Sequence, residues 1–139
     1  VPNALSVRDV PINLQEVDID IFCLATSNDH IVPWKSSYNT KFVFKNSRVD
    51  FILANKGHVL GVMQGATASK KKYKYFYNSK SYKSADHWKR FSSATMGSWW
   101  PFWNKWYGNK LGKRLSKDLF KDNLKKIESA PGSYVKKSY

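Results

Sequence analysis

The sequence predicts an α/β architecture, parallel strands joined by crossover helices, and three observations carry that expectation. A nearly continuous apolar run fills residues 19–26 (Ile-Asp-Ile-Phe-Cys-Leu-Ala-Thr), as expected of a strand covered on both faces. A second apolar run fills residues 49–54 and stops at Asn55-Lys56-Gly57. Between them Trp34, Tyr38 and Phe42 recur at i, i+4 and i+8, one stripe of a helix opened by Pro33 and closed by Asn46 and Ser47. Strand, helix and strand within about 40 residues fit the length of a parallel crossover.

The remaining segments follow in order. Residues 1–18 read as irregular, since Pro2 and Pro11 block long helices. Residues 62–87 are polar and rich in Lys and Tyr, and read as loop. A helix is predicted over 85–95, with Trp88 and Phe91 on one face and Gly97 as its breaker. Ser98 is placed to cap the next helix, Pro101 sits in its first turn and Gly108 can end it. Within that helix Trp99, Phe102, Trp103 and Trp106 fall at i, i+3, i+4 and i+7, a stripe that reads first as core. It would alternatively cover the strand ends or meet an apolar–polar boundary, which suits Trp. His87, beside Trp88, has no evident chemical partner and reads as structural. Residues 109–139 are basic, with helical hints over 115–127 and a turn at Ala130-Pro131-Gly132-Ser133. The expected organisation is a strand–helix–strand part at 1–62, continued in the same domain by a basic loop and Trp-rich helical extension at 63–139.

The chain has 139 residues, 42% hydrophobic content and six tryptophans, enough for a core and too apolar for a disordered segment. No stretch approaches the ~20 apolar residues of a membrane span, and a single cysteine, Cys23, allows no internal disulfide, which fits a reducing compartment. The formal net charge of +14 favours anionic partners. The simpler reading is a lysine-rich surface, with Lys70-Lys71-Lys72-Tyr73-Lys74 as a solvated loop.

Two strand ends carry the chemistry. Asp29 follows the first apolar run and His58 the second, so a parallel sheet would deliver both to one edge, where ligands of such sheets bind. A carboxylate on the far nitrogen of an imidazole holds the tautomer a general base needs. The order Asp then His is that of the last two members of an α/β-hydrolase triad. The bland alternative is an Asp that caps the next helix and a His beside Gly57 by chance. A nucleophile is missing. Cys23 lies inside an apolar run, where free Cys is usually buried, and no serine has the Gly-x-Ser-x-Gly elbow. The nucleophile is therefore expected on residues upstream of Val1.

Four motifs occur in order: Asp29-His30-Ile31-Val32-Pro33-Trp34, Gly57-His58-Val59-Leu60-Gly61-Val62, Gly97-Ser98-Trp99-Trp100-Pro101 with Trp103 and Trp106, and Ala130-Pro131-Gly132-Ser133-Tyr134-Val135-Lys136. Together with Pro2-Asn3-Ala4-Leu5-Ser6-Val7, they resemble the C-terminal portion of a class I polyhydroxyalkanoate (poly-3-hydroxybutyrate) synthase over essentially the whole chain.

That resemblance implies the C-terminal part of an α/β-hydrolase-like fold and a Cys-His-Asp triad that transfers 3-hydroxyacyl groups from coenzyme A thioesters to a growing polyester. It makes Asp29 the triad carboxylate, His58 the base and His30 a supporting residue. It implies no cofactor, since the coenzyme A thioester is substrate. The implied partners are 3-hydroxyacyl-coenzyme A, the polyester product, an N-terminal half bearing the Cys elbow and a second subunit of a homodimer, with no membrane span and no nucleic acid. The implied location is the cytoplasm, at polyester granules. Three departures stand out: Gln64-Gly65-Ala66 where the family has Asn-Pro-Pro, about one extra residue in the turn at 45–47, and the absent Cys elbow, which makes the chain alone catalytically incomplete. Alternative readings are a generic esterase fragment and a basic nucleic-acid-binding module.

Overall fold

The computed structural model describes residues 5–67, 69–116 and 127–138. They fall into two compact units, Val1–Tyr107 and Gly108–Tyr139. The first holds a four-stranded mixed sheet with helices, an α/β arrangement. Its parallel pair is β3 (Ile21–Thr26) and β4 (Val49–Ala54), in register from Ile21 opposite Val49 to Thr26 opposite Ala54. The two apolar runs are thus strands, the second over the predicted residues and the first two residues shorter.

The sheet then departs from the all-parallel expectation. β5 (Lys74–Tyr77) lies antiparallel to β4, and β6 (Ser93–Met96) antiparallel to β5, giving the order β3-β4-β5-β6. Lys74 therefore begins a strand, and residues 62–87 are not all loop. The predicted helix over 85–95 is also corrected: α4 (Ala85–Arg90) ends as Phe91 leaves helical geometry at φ −97° and ψ 8°. The Ser92 hydroxyl donates to the Trp88 carbonyl at 2.7 Å, and the chain turns directly into β6. A four-residue strand beside a helix carries too little periodicity to announce itself.

The opening segment is not irregular. β1 (Leu5–Val7) and β2 (Val10–Ile12) form a separate antiparallel hairpin with Pro11 opposite Ser6. Arg8 and Asp9 both have positive φ (49° and 64°), as a two-residue turn between twisted strands requires. Every residue of both strands is exposed.

Helices cover both faces of the sheet. On one face the predicted helix after Pro33 is two short pieces, α1 (Trp34–Tyr38) and α2 (Thr40–Val43), joined at Asn39. Tyr38 is buried and Trp34 half-buried, but Phe42 is exposed, so the stripe faces inward only in its first half. Tyr38, Phe51 and Trp88 form the centre of that core, with ring centroids 5.0–5.5 Å apart. Ala25 and Leu53 complete it, and Cys23 packs half-buried at its margin. Burial pushes the Cys23 thiol up.

The opposite face receives α5 (Trp100–Gly108). Of the predicted stripe, Trp99 just before the helix and Phe102 and Trp103 within it lie against Ile52, Ala54 and Tyr75, and Trp100, outside the predicted stripe, joins them. Phe22 of β3 meets Trp99, Phe102 and Trp106 at 6.1, 6.1 and 5.4 Å. Asp50, buried under α5, accepts from the Tyr77 hydroxyl (2.7 Å) and the Trp106 indole (2.9 Å) and pairs with Arg48 (3.1 Å). Burial, then the neighbouring Asp50, push the Tyr77 phenol up to about 12.

In the second unit the 130–133 turn is present: Gly132 N–H donates to Ser129, and the Glu128 carboxylate accepts from the Ser133 backbone and hydroxyl. Of the predicted helical hints, residues 117–126 lie outside the described residues, as does the Pro2-Asn3-Ala4 segment. No helix among the described residues is long and apolar enough to cross a membrane.

Candidate functional site

The parallel pairing of β3 and β4 brings their carboxyl ends to one edge, and two further bonds tie the loops beyond them. Ser27 N–H donates to Ala54 (2.8 Å) and Asn28 N–H to Lys56 (3.0 Å). Asp29 sits in the first loop. Its Oδ1 accepts the backbone N–H groups of Ile31 and Val32, each at 2.9 Å, an Asx-type turn that fixes the carboxylate plane. Its Oδ2 is left for His58 and, more weakly, for the Thr26 hydroxyl at 3.4 Å.

His58 opens a helix that the sequence did not announce, α3 (His58–Val62), with Gly57 at its N-cap. Its Nδ1 lies 2.8 Å from Asp29 Oδ2. An ionised carboxylate only accepts, so Nδ1 carries a proton and, in the neutral ring, Nε2 keeps a free lone pair. The Asp29 side chain is 9% exposed and the His58 side chain 46%, so the pair has a shielded end and an open one. The Val32 backbone N–H first, then the His58 ring, hold the Asp29 carboxyl well below the usual carboxylate range. A cleft of about 190 Å³ adjoins the pair, lined by Leu24, Ala25, Thr26, Val32, Ser37 and Val62.

α3 is only five residues long, and what holds it was not legible beforehand. A β-carbon at Gly61 would stand 2.3 Å from Thr26 Cγ2, so the absence of a side chain there lets α3 lie directly on the end of β3. The carbonyls at its end are taken by α5 and its cap. Trp99 Nε1 donates to Gly61 (3.0 Å), Trp100 Nε1 to Val62 (3.1 Å) and Ser98 Oγ to Gln64 (2.8 Å). Ser98 also accepts from Trp100 N–H (3.1 Å), the predicted cap.

Of the three residues singled out in the sequence, the structure brings Asp29 and His58 together. His30 is exposed beside Asp29 and makes no hydrogen bond or ion pair among the described residues. His87 packs its ring edge on Phe91. No cluster of metal-ligating side chains occurs among the described residues.

No family profile matches the chain. Sequence comparison with curated proteins does find relatives. The chain is 35% identical over 136 residues to poly(3-hydroxyalkanoate) polymerase 2 of Ectopseudomonas oleovorans, covering 96% of this chain and 24% of that one. It is 32% identical over 138 residues to the poly(3-hydroxyalkanoate) polymerase subunit PhaC of Cupriavidus necator, covering 98% and 23%. The chain matches the C-terminal part of poly(3-hydroxyalkanoate) polymerases. The PhaC subunit of Rhizobium etli is 37% identical over 125 residues, 89% of this chain and 19% of that polymerase. The chain thus spans about a quarter or less of the length of these polymerases.

Proposed function

We propose that this chain supplies the acid–base half of an acyl-transfer site in a poly(3-hydroxyalkanoate) polymerase with an α/β-hydrolase-like core, the nucleophilic thiol coming from polymerase residues outside these 139. The 2.8 Å bond between Asp29 and His58 at the end of a parallel strand pair is the observation that carries this reading. His58 Nε2 takes the proton of the thiol, and the thiolate attacks the carbonyl carbon of a 3-hydroxyacyl-coenzyme A thioester. The coenzyme A thiolate departs with that proton, leaving the acyl group on the enzyme sulfur. His58 then takes the proton of a 3-hydroxyl group whose oxygen attacks an enzyme-bound acyl thioester; a new ester bond forms, a carbon–sulfur bond breaks, and the released sulfur regains the proton. Asp29 holds the imidazole in the Nδ1–H tautomer and stabilises its cation. His30 is assigned a supporting role.

The test is reconstitution. The isolated chain should not turn over 3-hydroxybutyryl-coenzyme A, and adding a polymerase segment that bears Gly-x-Cys-x-Gly should restore turnover. His58→Ala in the reconstituted protein should abolish it, whereas His30→Ala should cost less. Equal activity with and without His58, or restoration by a Gly-x-Ser-x-Gly segment alone, would overturn the assignment, the latter in favour of an esterase.

A further inference from the structure

Beside the candidate site, three ammonium groups share two aromatic rings. Lys35 and Lys89 stand 5.9 and 5.7 Å from the centre of the Trp34 ring, and Lys89 and Lys74 stand 5.6 and 5.5 Å from that of Phe76. The residues come from α1, β5 and α4, far apart in sequence. Their common location is the edge that carries Asp29 and His58. Trp34 begins α1 five residues after Asp29, and Lys74 exchanges bonds of 2.9 and 3.0 Å with Asn55, three residues before His58. Gathering like charges is unfavourable unless something offsets it. Asp86 pairs with Lys35 at 2.6 Å, but Lys74 and Lys89 meet no carboxylate among the described residues. The rings hold the lysine head groups by cation–π attraction, and with Lys35 offset by Asp86 the cluster keeps two uncompensated positive charges, those of Lys74 and Lys89.

We propose that Lys35, Lys74 and Lys89 form a phosphate-binding site for the nucleotide portion of the coenzyme A thioester that the Asp29–His58 pair consumes. The assignment rests on the acyl-transfer reading above. The chemistry fits: lysine binds phosphate as a point charge, and ligands of such sheets enter outside the carboxyl ends of the strands. The ring faces carry ammonium groups and are not open for base stacking, which disfavours a single-stranded nucleic acid.

Calorimetric titration of the chain with coenzyme A, dephospho-coenzyme A, pantetheine and inorganic pyrophosphate tests this. Coenzyme A should bind more tightly than dephospho-coenzyme A or pyrophosphate, and pantetheine least. The pair Lys74→Gln with Lys89→Gln should weaken coenzyme A roughly tenfold or more, while Lys74→Arg with Lys89→Arg retains it. Asp86→Asn, which removes the local negative charge, should tighten binding, a gain that misfolding cannot mimic. His58→Ala should lose turnover in the reconstituted protein yet keep coenzyme A binding, so the two readings fail separately. Unchanged affinity in the glutamine pair, no gain in Asp86→Asn, or pantetheine or pyrophosphate binding as tightly as coenzyme A would overturn the site.

Discussion

Asp29 divides its two oxygens between different tasks. Oδ1 accepts from the Ile31 and Val32 backbone and Oδ2 faces His58, so the turn orients the carboxylate through contacts separate from the imidazole. Asp29→Asn should keep the loop, since an amide oxygen still accepts the two backbone N–H groups, but it favours the wrong imidazole tautomer. Turnover in the reconstituted protein should fall by roughly 10⁴; a loss under tenfold would remove Asp29 from the mechanism. The depressed carboxyl also has a sign in stability. An acid whose folded value lies below its unfolded one stabilises the fold above the unfolded value, near pH 4, and loses that contribution as pH falls through the folded one. Denaturant unfolding of Asp29→Asn should therefore show a flatter decline below pH 4 than the parent. The pair itself was legible in the sequence because two apolar runs each stop at a polar residue. Thr26 and the backbone donors were not, since neither residue type nor spacing marks a hydrogen bond made inside a turn.

At the scale of elements, the two continuous apolar strands were read correctly and the shorter ones were not. β5 is among the latter although its Tyr75 is buried, because Lys-Tyr-Phe-Tyr sits in a lysine-rich polar stretch. β3 and β4 are continuous apolar runs, whereas β6 is Ser-Ala-Thr-Met with every residue exposed, and β1 and β2 are exposed throughout. Hydrophobic pattern reports burial, so strands held by backbone pairing alone escape it. α3 escaped for another reason: five residues give no full period, and its seat depends on the bare α-carbon of Gly61. Gly61→Ala should destabilise the protein by about 1–3 kcal/mol through overpacking against Thr26. Gly57→Ala, whose nearest contact would be an ordinary 3.4 Å from Asn28 O, should be milder; equal costs would refute the close approach. Trp88 is fully buried between Tyr38 and Phe51 and donates to Asn78 at 3.1 Å. Trp88→Ala should cost about 3–5 kcal/mol in denaturant unfolding, whereas Phe91→Ala, at an exposed ring, should cost far less.

At the scale of the whole molecule, β3 carries the candidate acid in the loop after it and is also an open edge of the sheet among the described residues. Unpaired backbone groups on such an edge are ready to take another strand. If the polymerase segment with the thiol docks there, amide hydrogen exchange over residues 21–26 should slow when that segment is added, and unchanged exchange would place the docking elsewhere. The indole groups of Trp99 and Trp100 bring the final consequence. They grip the last carbonyls of the helix that starts at His58, so the seating of that helix alters the polarity around two fluorophores. In a variant that keeps only these two of the six tryptophans, emission should report whether the imidazole is held in place, without a label and without a substrate.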